Sequence, residues 1–192
     1  MKKENFKISI EVLTGLHIGV GSDRPEIGGI DNQFIKNPIS KLPYIPGSSI
    51  KGKIRCLLET ESTKYDGSEK IIEKNFSGDD SSPTRLIFRD INLTDQYKKL
   101  FETGEYQTEV KTEIKISRQT GKAEGGALRT TERIPPGVIF EGEVLIRYDE
   151  NLNELAQIKD MLDEGIALLN NDFLGGSGSR GYGAVVVSLI KK

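Results

Sequence analysis

Apolar residues along this chain switch between strand spacing and helix spacing in one order, and that order constrains the fold more than any other feature. Phe6, Ile8, Ile10 and Val12 alternate with Lys7, Ser9 and Glu11, the period of a half-buried strand. Ile50, Ile54, Leu57 and Leu58 then fall at i, i+4, i+7 and i+8, one apolar face of a helix. Ser48 or Ser49 can cap its start. Residues 85–89 read as a second strand, and Phe140, Val144 and Ile146 alternate with Glu141, Glu143 and Arg147 in a third. Leu152, Leu155, Ile158, Leu162, Ile166 and Leu169 make a second helical stripe, halted by Asn170-Asn171 and Gly175-Gly176, and the run from Ala184 to Ile190 suits a buried strand. The expected class is α+β, a ferredoxin-like βαββαβ core. RNA-recognition motifs share this order and bind RNA on the open sheet face.

Between these elements lie three irregular stretches. Residues 14–46 are broken by Gly15, Gly19, Gly21, Pro25, Gly28, Gly29, Pro38, Pro43 and Pro46; an irregular stretch this long inside a compact domain is usually functional or disordered. Residues 60–83 read as a flexible polar insertion with a short helix around Lys70 to Phe76. Residues 105–134 read as a polar, β-rich excursion in which Val110, Ile114 and Ile116 alternate, with a mobile tip at Gly121 to Gly126 and a close at Pro135-Pro136-Gly137. A chain of 192 residues holds these around a single core spanning 1–192.

Composition removes several classes of function. No apolar run reaches the roughly 20 residues that span a bilayer, and the start Met1-Lys2-Lys3-Glu4-Asn5 lacks the apolar segment of a secretory signal. The expectation is a cytoplasmic protein with no membrane partner. One cysteine, Cys56, excludes an internal disulfide, and its place in the helical pattern reads as core. One His and one Cys cannot build the usual zinc site, so no metal-ligating residues are assigned and any metal must be oxygen-ligated, such as Mg²⁺. The net charge of −2 is weak for a nucleic-acid binder, but the cations gather in 51–55, 111–133 and around Arg180 while acids gather in 59–73 and 149–164. Distribution matters more than the sum.

Two segments carry candidate chemistry. Leu42-Pro43-Tyr44-Ile45-Pro46-Gly47-Ser48-Ser49-Ile50-Lys51-Gly52-Lys53-Ile54-Arg55 leads through prolines and a glycine into a helix start, whose free N–H groups favour an anion. Lys51 and Arg55, four apart, can hold adjacent phosphates. Leu174-Gly175-Gly176-Ser177-Gly178-Ser179-Arg180-Gly181-Tyr182-Gly183 places five glycines in nine residues. Its amides can meet a polyanion, Arg180 can pair with phosphate, and Tyr182 can stack on a base. It is not a P-loop, because the Gly-Lys-Ser/Thr ending is missing. The blander readings are a loop-to-helix junction and a flexible turn.

With Glu26-Ile27-Gly28-Gly29-Ile30-Asp31-Asn32, Arg85-Leu86-Ile87-Phe88-Arg89-Asp90 and Glu132-Arg133-Ile134-Pro135-Pro136-Gly137, these two segments form an ordered set from about residue 8 to 187. The set resembles the RAMP superfamily of CRISPR-associated proteins, in particular the Csm-type backbone subunit of type III effector complexes. The resemblance implies a ferredoxin-like core that binds guide crRNA and stacks head to tail with copies of itself. A β-hairpin thumb, matched by 105–134, splays the guide–target duplex. It implies other type III subunits and target RNA as further partners, and cleavage of that RNA by an aspartate in the early loop with a divalent cation such as Mg²⁺, the 2′-OH attacking to leave a cyclic phosphate. Asp31 holds that aspartate's place. Lys51, Arg55, Ser48, Ser49 and the Gly178-Ser179-Arg180 turn would contact guide backbone, His17 would contact RNA, and Arg129 and Arg133 would sit at the thumb base. On spacing alone Asp31 reads as a turn residue. The alternatives are a non-catalytic scaffold of the same family, a guide-processing endoribonuclease acting through His17, and a ferredoxin-like interaction protein without RNA.

Overall fold

A computed structural model of the chain describes residues 1–21, 29–79, 82–149 and 152–191; Glu26, Ile27 and Gly28 of the early motif lie outside the described residues. The elements in order are β1 (Lys2–Val12), β2 (Tyr44–Ile45), α1 (Gly47–Thr60), α2 (Glu69–Phe76), β3 (Gly78–Asp79), β4 (Ser82–Pro83), β5 (Leu86–Phe88), β6 (Ile91–Leu93), α3 (Asp95–Thr103), β7 (Glu109–Ile116), β8 (Ala123–Arg133), β9 (Ile139–Tyr148), α4 (Leu152–Asn170), a single 3₁₀ turn (Gly178–Arg180) and β10 (Val185–Lys191).

The main sheet runs β10-β1-β9-β6-β2, with β5 also on β9. β5 meets β9 at Leu86↔Ile146 through Phe88↔Val144, and β6 meets the same edge at Asn92↔Glu141 and Leu93↔Phe140. They are two pieces of one strand, broken at Arg89-Asp90. Counted so, the core is antiparallel with strand order 4-1-3-2 and connection βαββαβ, the expected ferredoxin-like arrangement.

The core follows the expected periodicities. Phe6, Ile8, Ile10 and Val12 of β1 are buried, as are Ile50, Ile54, Leu57 and Leu58 of α1 and Ile158, Met161, Leu162, Ile166 and Leu169 of α4. Each such side chain contributes about 1.5–3 kcal/mol when fully buried. The two helices cross closely at Gly165, where an added Cβ would lie 2.5 Å from Ile54 Cγ2.

Several local expectations differ from the structure. The N-cap of α1 is Pro46, with no side-chain cap bond, so Ser48 and Ser49 lie inside the first turn. Cys56 is exposed: six residues beyond Ile50, it is rotated by about 240° from it at 100° per residue, off the apolar stripe. The 60–83 segment is anchored rather than merely polar, because Ile72 and Phe76 of α2 are buried. β10 buries Val185 and Val187 but exposes Val186 and Ile190, as a sheet edge with one wet face does. Neither β2 nor α3 was anticipated. Among the described residues no helix is long and apolar enough to cross a membrane.

β7 and β8 form a hairpin outside the main sheet, from Glu109↔Arg133 at the base to Ile116↔Ala123. Its turn is closed by Ser117 N–H to the Lys122 carbonyl at 2.9 Å. The tip is therefore 117–122, and Gly125 and Gly126 lie within β8 rather than at the tip. Val110, Ile114, Ile116 and Leu128 are each about half exposed, so the alternation in β7 marks an apolar face presented to solvent, not a core.

Candidate functional site

The early loop is bound to the base of the hairpin residue by residue. Leu16 pairs with Ile134 through reciprocal backbone bonds of 3.0 and 2.8 Å. Asn32 bridges Thr131, its N–H donating to the Thr130 carbonyl at 3.0 Å while the Glu132 N–H donates to the Asn32 carbonyl at 2.8 Å. The segment from Asp31 to Lys36 thus lies along Thr130, Thr131 and Glu132 of β8.

Asp31 is exposed at the start of that contact. The Thr130 N–H donates to Asp31 Oδ2 at 2.7 Å and the Thr130 hydroxyl to the same oxygen at 2.9 Å, while the Asp31 N–H donates to the Thr130 hydroxyl oxygen at 3.0 Å. Among the described residues Oδ1 has no hydrogen-bond partner. The Thr130 N–H and then its hydroxyl hold the Asp31 carboxyl below its usual range, slight burial opposes them, and Arg129 adds to the lowering. Asp31 is therefore an anion with one oxygen committed to Thr130 and the other without a hydrogen-bond partner among the described residues.

Two residues further along the strand, on the same face, Glu132 is buried. Its Oε2 accepts the Phe34 N–H at 2.9 Å, and its Oε1 accepts the Lys36 ammonium and the Thr108 hydroxyl, each at 2.5 Å. Burial alone would raise this carboxyl, but Lys36, Thr108 and Phe34 outweigh it and hold it below the ordinary value. The Glu132 carbonyl also accepts the Nδ1–H of His17 at 2.7 Å, so a proton sits on Nδ1 and the ring is held against the hairpin. Sequence reasoning gave neither Thr130 nor Glu132 a role, although Glu132 opens the Glu132-Arg133-Ile134-Pro135-Pro136-Gly137 motif; both are tied to early-loop residues about a hundred positions away.

His17 also joins the late glycine-rich loop. Its carbonyl accepts the Gly176 N–H at 2.9 Å, and the Gly183 N–H donates to the Gly15 carbonyl at 3.1 Å. Gly175 has φ +79°, and a Cβ there would lie 2.1 Å from the His17 oxygen; one at Gly183 (φ +73°) would lie 2.1 Å from the Leu174 oxygen. Much of the glycine content of this loop is explained by backbone packed against backbone.

The structure overturns one reading here. Tyr182 is 1% exposed. Its hydroxyl donates to Glu113 Oε1 at 2.9 Å, and its ring lies 4.5 Å from Lys111 Nζ and 4.4 Å from Arg133 Cζ. Burial raises its phenol, with Glu113 adding to that. It cannot stack on a base, because two cations of the hairpin base occupy its surroundings. Tyr182 instead fastens the late loop to the hairpin.

The expected RNA contacts fall into distinct groups. Arg133 pairs with Glu109 at 2.5 Å and is mostly buried. Arg129 is exposed, opposite Glu113 in the hairpin register. Arg180 is 62% exposed, with Ser177 Oγ at 2.5 Å and Glu113 at 3.4 Å. Gly178 packs over Phe173, where a Cβ would lie 2.0 Å from Cγ, and Ser179 is exposed beside it. Lys53, not assigned from sequence, pairs with Asp172 and lies 4.2 Å from the Phe173 ring centroid. The flank of α1 that faces the late loop therefore carries Lys53. Lys51 is about 200° away around the helix. Burial and then Arg55 lower the Lys51 ammonium. Arg55 donates to Glu59 at 2.7 Å and to Ser77 at 2.5 Å. At the start of α1 the Gly47 N–H already donates to the Asp90 carboxylate at 2.9 Å, so that anion position is filled from within. Ser48 is exposed and Ser49 half-buried.

Among the described residues no group of three or more His, Cys, Asp or Glu could hold a metal ion. Mg²⁺ commonly takes only one or two protein carboxylates and completes its shell with water and phosphate oxygens. Asp31 Oδ1, without a hydrogen-bond partner among the described residues, fits that limited role.

The fold and this loop-on-hairpin site define a RAMP protein: the model of the RAMP superfamily matches residues 9–186. The "CRISPR system Cms endoribonuclease Csm3" of Methanothermobacter thermautotrophicus is 39% identical, over 98% of this chain and 86% of that protein. The proteins of that name from Streptococcus thermophilus and Mycobacterium tuberculosis are 38% and 36% identical, over 98% and 95% of this chain and 89% and 85% of their own. The chain belongs to the RAMP superfamily and, within it, to the Csm3 family. Among solved structures, a chain of the apo Type III-B Cmr-beta complex superposes with a TM-score of 0.68 at 16% identity, covering 98% of both chains. A chain of Cmr-beta bound to cognate target RNA gives 0.65 at 20% identity, covering 99% of this chain and 61% of that one. At these identities the likeness speaks to fold, and the fold agrees.

Proposed function

We propose that this chain is a backbone subunit of a type III CRISPR effector complex that binds guide crRNA, assembles with copies of itself and other subunits along it, and cleaves complementary target RNA at Asp31. The proposed setting is the cytoplasm. Family membership supports the assignment to this kind of complex. The observation that carries the catalytic part is Asp31: an exposed, ionised carboxylate held by a strand through one oxygen, beside a hairpin whose apolar face is open.

The proposed reaction is attack of a ribose 2′-oxygen on the adjacent phosphorus as its proton is lost: the P–O5′ bond breaks, a 2′,3′-cyclic phosphate remains on one fragment, and the 5′-oxygen leaves and takes up a proton as the 5′-hydroxyl of the other. A general base works best with a pKa near the working pH, and Thr130 moves Asp31 away from that. Its role is therefore to accept the hydrogen bond of the 2′-OH at Oδ1 and orient it, rather than to act as a strong base. Exposed Arg129 would meet phosphate nearby, and Arg180, Ser179 and the α1 cations would hold guide backbone. A divalent cation such as Mg²⁺ is proposed as cofactor; Asp31 would help to hold it, and it would neutralise charge on the reacting phosphate.

The test is a reconstituted complex offered guide-paired target RNA and, separately, precursor repeat RNA, with Mg²⁺ or with chelator. The expected result is cuts at regular spacing in the target, only with Mg²⁺, and none in the precursor. Cleavage of precursor alone would contradict the reading and return attention to His17. Absence of cleavage would make the chain a scaffold.

A further inference from the structure

We infer that Thr130 is the positioning residue for Asp31, selecting which carboxylate oxygen meets the RNA; this rests on the proposed role of Asp31. Every polar group of Thr130 is used on two consecutive residues of the early loop. Its N–H and hydroxyl donate to Asp31 Oδ2, its hydroxyl oxygen accepts the Asp31 N–H, and its carbonyl accepts the Asn32 N–H at 3.0 Å and Asn32 Nδ2 at 3.4 Å.

The chemistry of this arrangement is directional. A hydroxyl has one proton. Because the Asp31 N–H donates to the Thr130 oxygen, that proton is directed to Oδ2. The two donors on Oδ2 distinguish it from Oδ1, which a freely rotating carboxylate would not do. Asp31 sits on a loop, whereas Thr130 sits in β8, paired with Thr112 across the hairpin. The aspartate is thus held by a regular element, which keeps a site more precise than a loop does. Oδ1, without a hydrogen-bond partner among the described residues, is the oxygen this arrangement leaves for RNA.

A hydroxyl is required, and the rest of threonine is not. Thr130→Val keeps the branched shape suited to a strand but loses two of the three Asp31 contacts, leaving the backbone N–H. Thr130→Ser keeps all three. Misplacement of a reacting group by about 1 Å costs on the order of 10²-fold in rate, so the valine variant is expected to lose about 10- to 100-fold.

The experiment measures single-turnover cleavage of guide-paired target RNA by the reconstituted complex across target concentrations, for wild type, Thr130→Val, Thr130→Ser and Asp31→Ala. Thr130→Ala replaces the valine variant if valine prevents assembly. The expected result is a slowed maximal rate for valine, an unchanged half-saturating concentration, recovery with serine, and no cleavage with Asp31→Ala. Full rate with valine while Asp31→Ala is dead overturns the positioning role and leaves Asp31 standing. Serine as slow as valine overturns it, because the hydroxyl is then not the agent. A raised half-saturating concentration at normal rate overturns it in favour of a direct RNA contact. Cleavage by Asp31→Ala removes the reading on which the inference rests.

Discussion

Replacing Glu132 by alanine should loosen the early loop from the hairpin, and the structure sets the magnitude. Alanine leaves the buried Phe34 N–H without its acceptor, at a cost of about 1–3 kcal/mol. It also removes the partners of Thr108 and Lys36. Thr108 can turn to another acceptor, and the Lys36 side chain, 36% exposed, can return to water, so together they add about 1 kcal/mol. The expected loss is about 2–4 kcal/mol, or about 4–16 °C in Tm for a domain of this size. Glu132→Gln retains an oxygen for Phe34 and loses the ion pair with Lys36, whose ammonium can return to water, so it should cost clearly less than alanine. Urea and thermal unfolding of the purified subunit read both variants. Acid titration adds a second arm. The folded carboxyl lies below its ordinary 4.5, so its stabilisation is present above about pH 4.5 and is lost as pH falls through the folded value. Wild type should lose stability there more steeply than Glu132→Gln. An alanine variant within about 1 kcal/mol of wild type, or a glutamine variant as unstable as alanine, would refute the keystone role of this carboxylate.

Three further outcomes follow from the same geometry. Gly175→Ala should destabilise strongly, because it forces a side chain into left-handed backbone with Cβ 2.1 Å from the His17 oxygen; a Tm equal to wild type would contradict that packing. Tyr182→Phe should cost about 0.5–1.5 kcal/mol through the lost bond to Glu113 and leave guide RNA affinity unchanged, whereas a large loss of affinity by filter binding would restore the stacking reading. Neutralising Arg180 should weaken guide binding and reduce its salt dependence by about one ion, which a salt series of binding isotherms checks.

The long periodic elements were legible because burial alone decides them: β1, α1, β9 and α4 each carry three or more apolar residues at one spacing. Helix α3 was not, because it buries no residue and sets half-buried Tyr97 and Phe101 against Tyr106. Its signals were local: Thr94 and Asp95 at the start, and Gly104 at φ +80° at the end. The glycine-rich loop announced close approach but not to what. Its glycines meet the carbonyls of His17 and Leu174 and the ring of Phe173. An aromatic residue between glycines reads equally well as a base stacker or a buried anchor, and for Tyr182 the deciding partners, Glu113, Lys111 and Arg133, are supplied by the hairpin. Thr130 and Glu132 stand inside an ordinary polar strand, and only the tertiary fold shows that they hold Asp31 and its loop.

The most direct measurement is the rate of target-RNA cleavage by complexes assembled with wild-type chain and with Asp31→Ala, alongside guide content and target affinity. The account predicts unchanged assembly and target affinity with cleavage abolished. Cleavage at the wild-type rate, or equal loss of binding and cleavage, would contradict a catalytic role for Asp31.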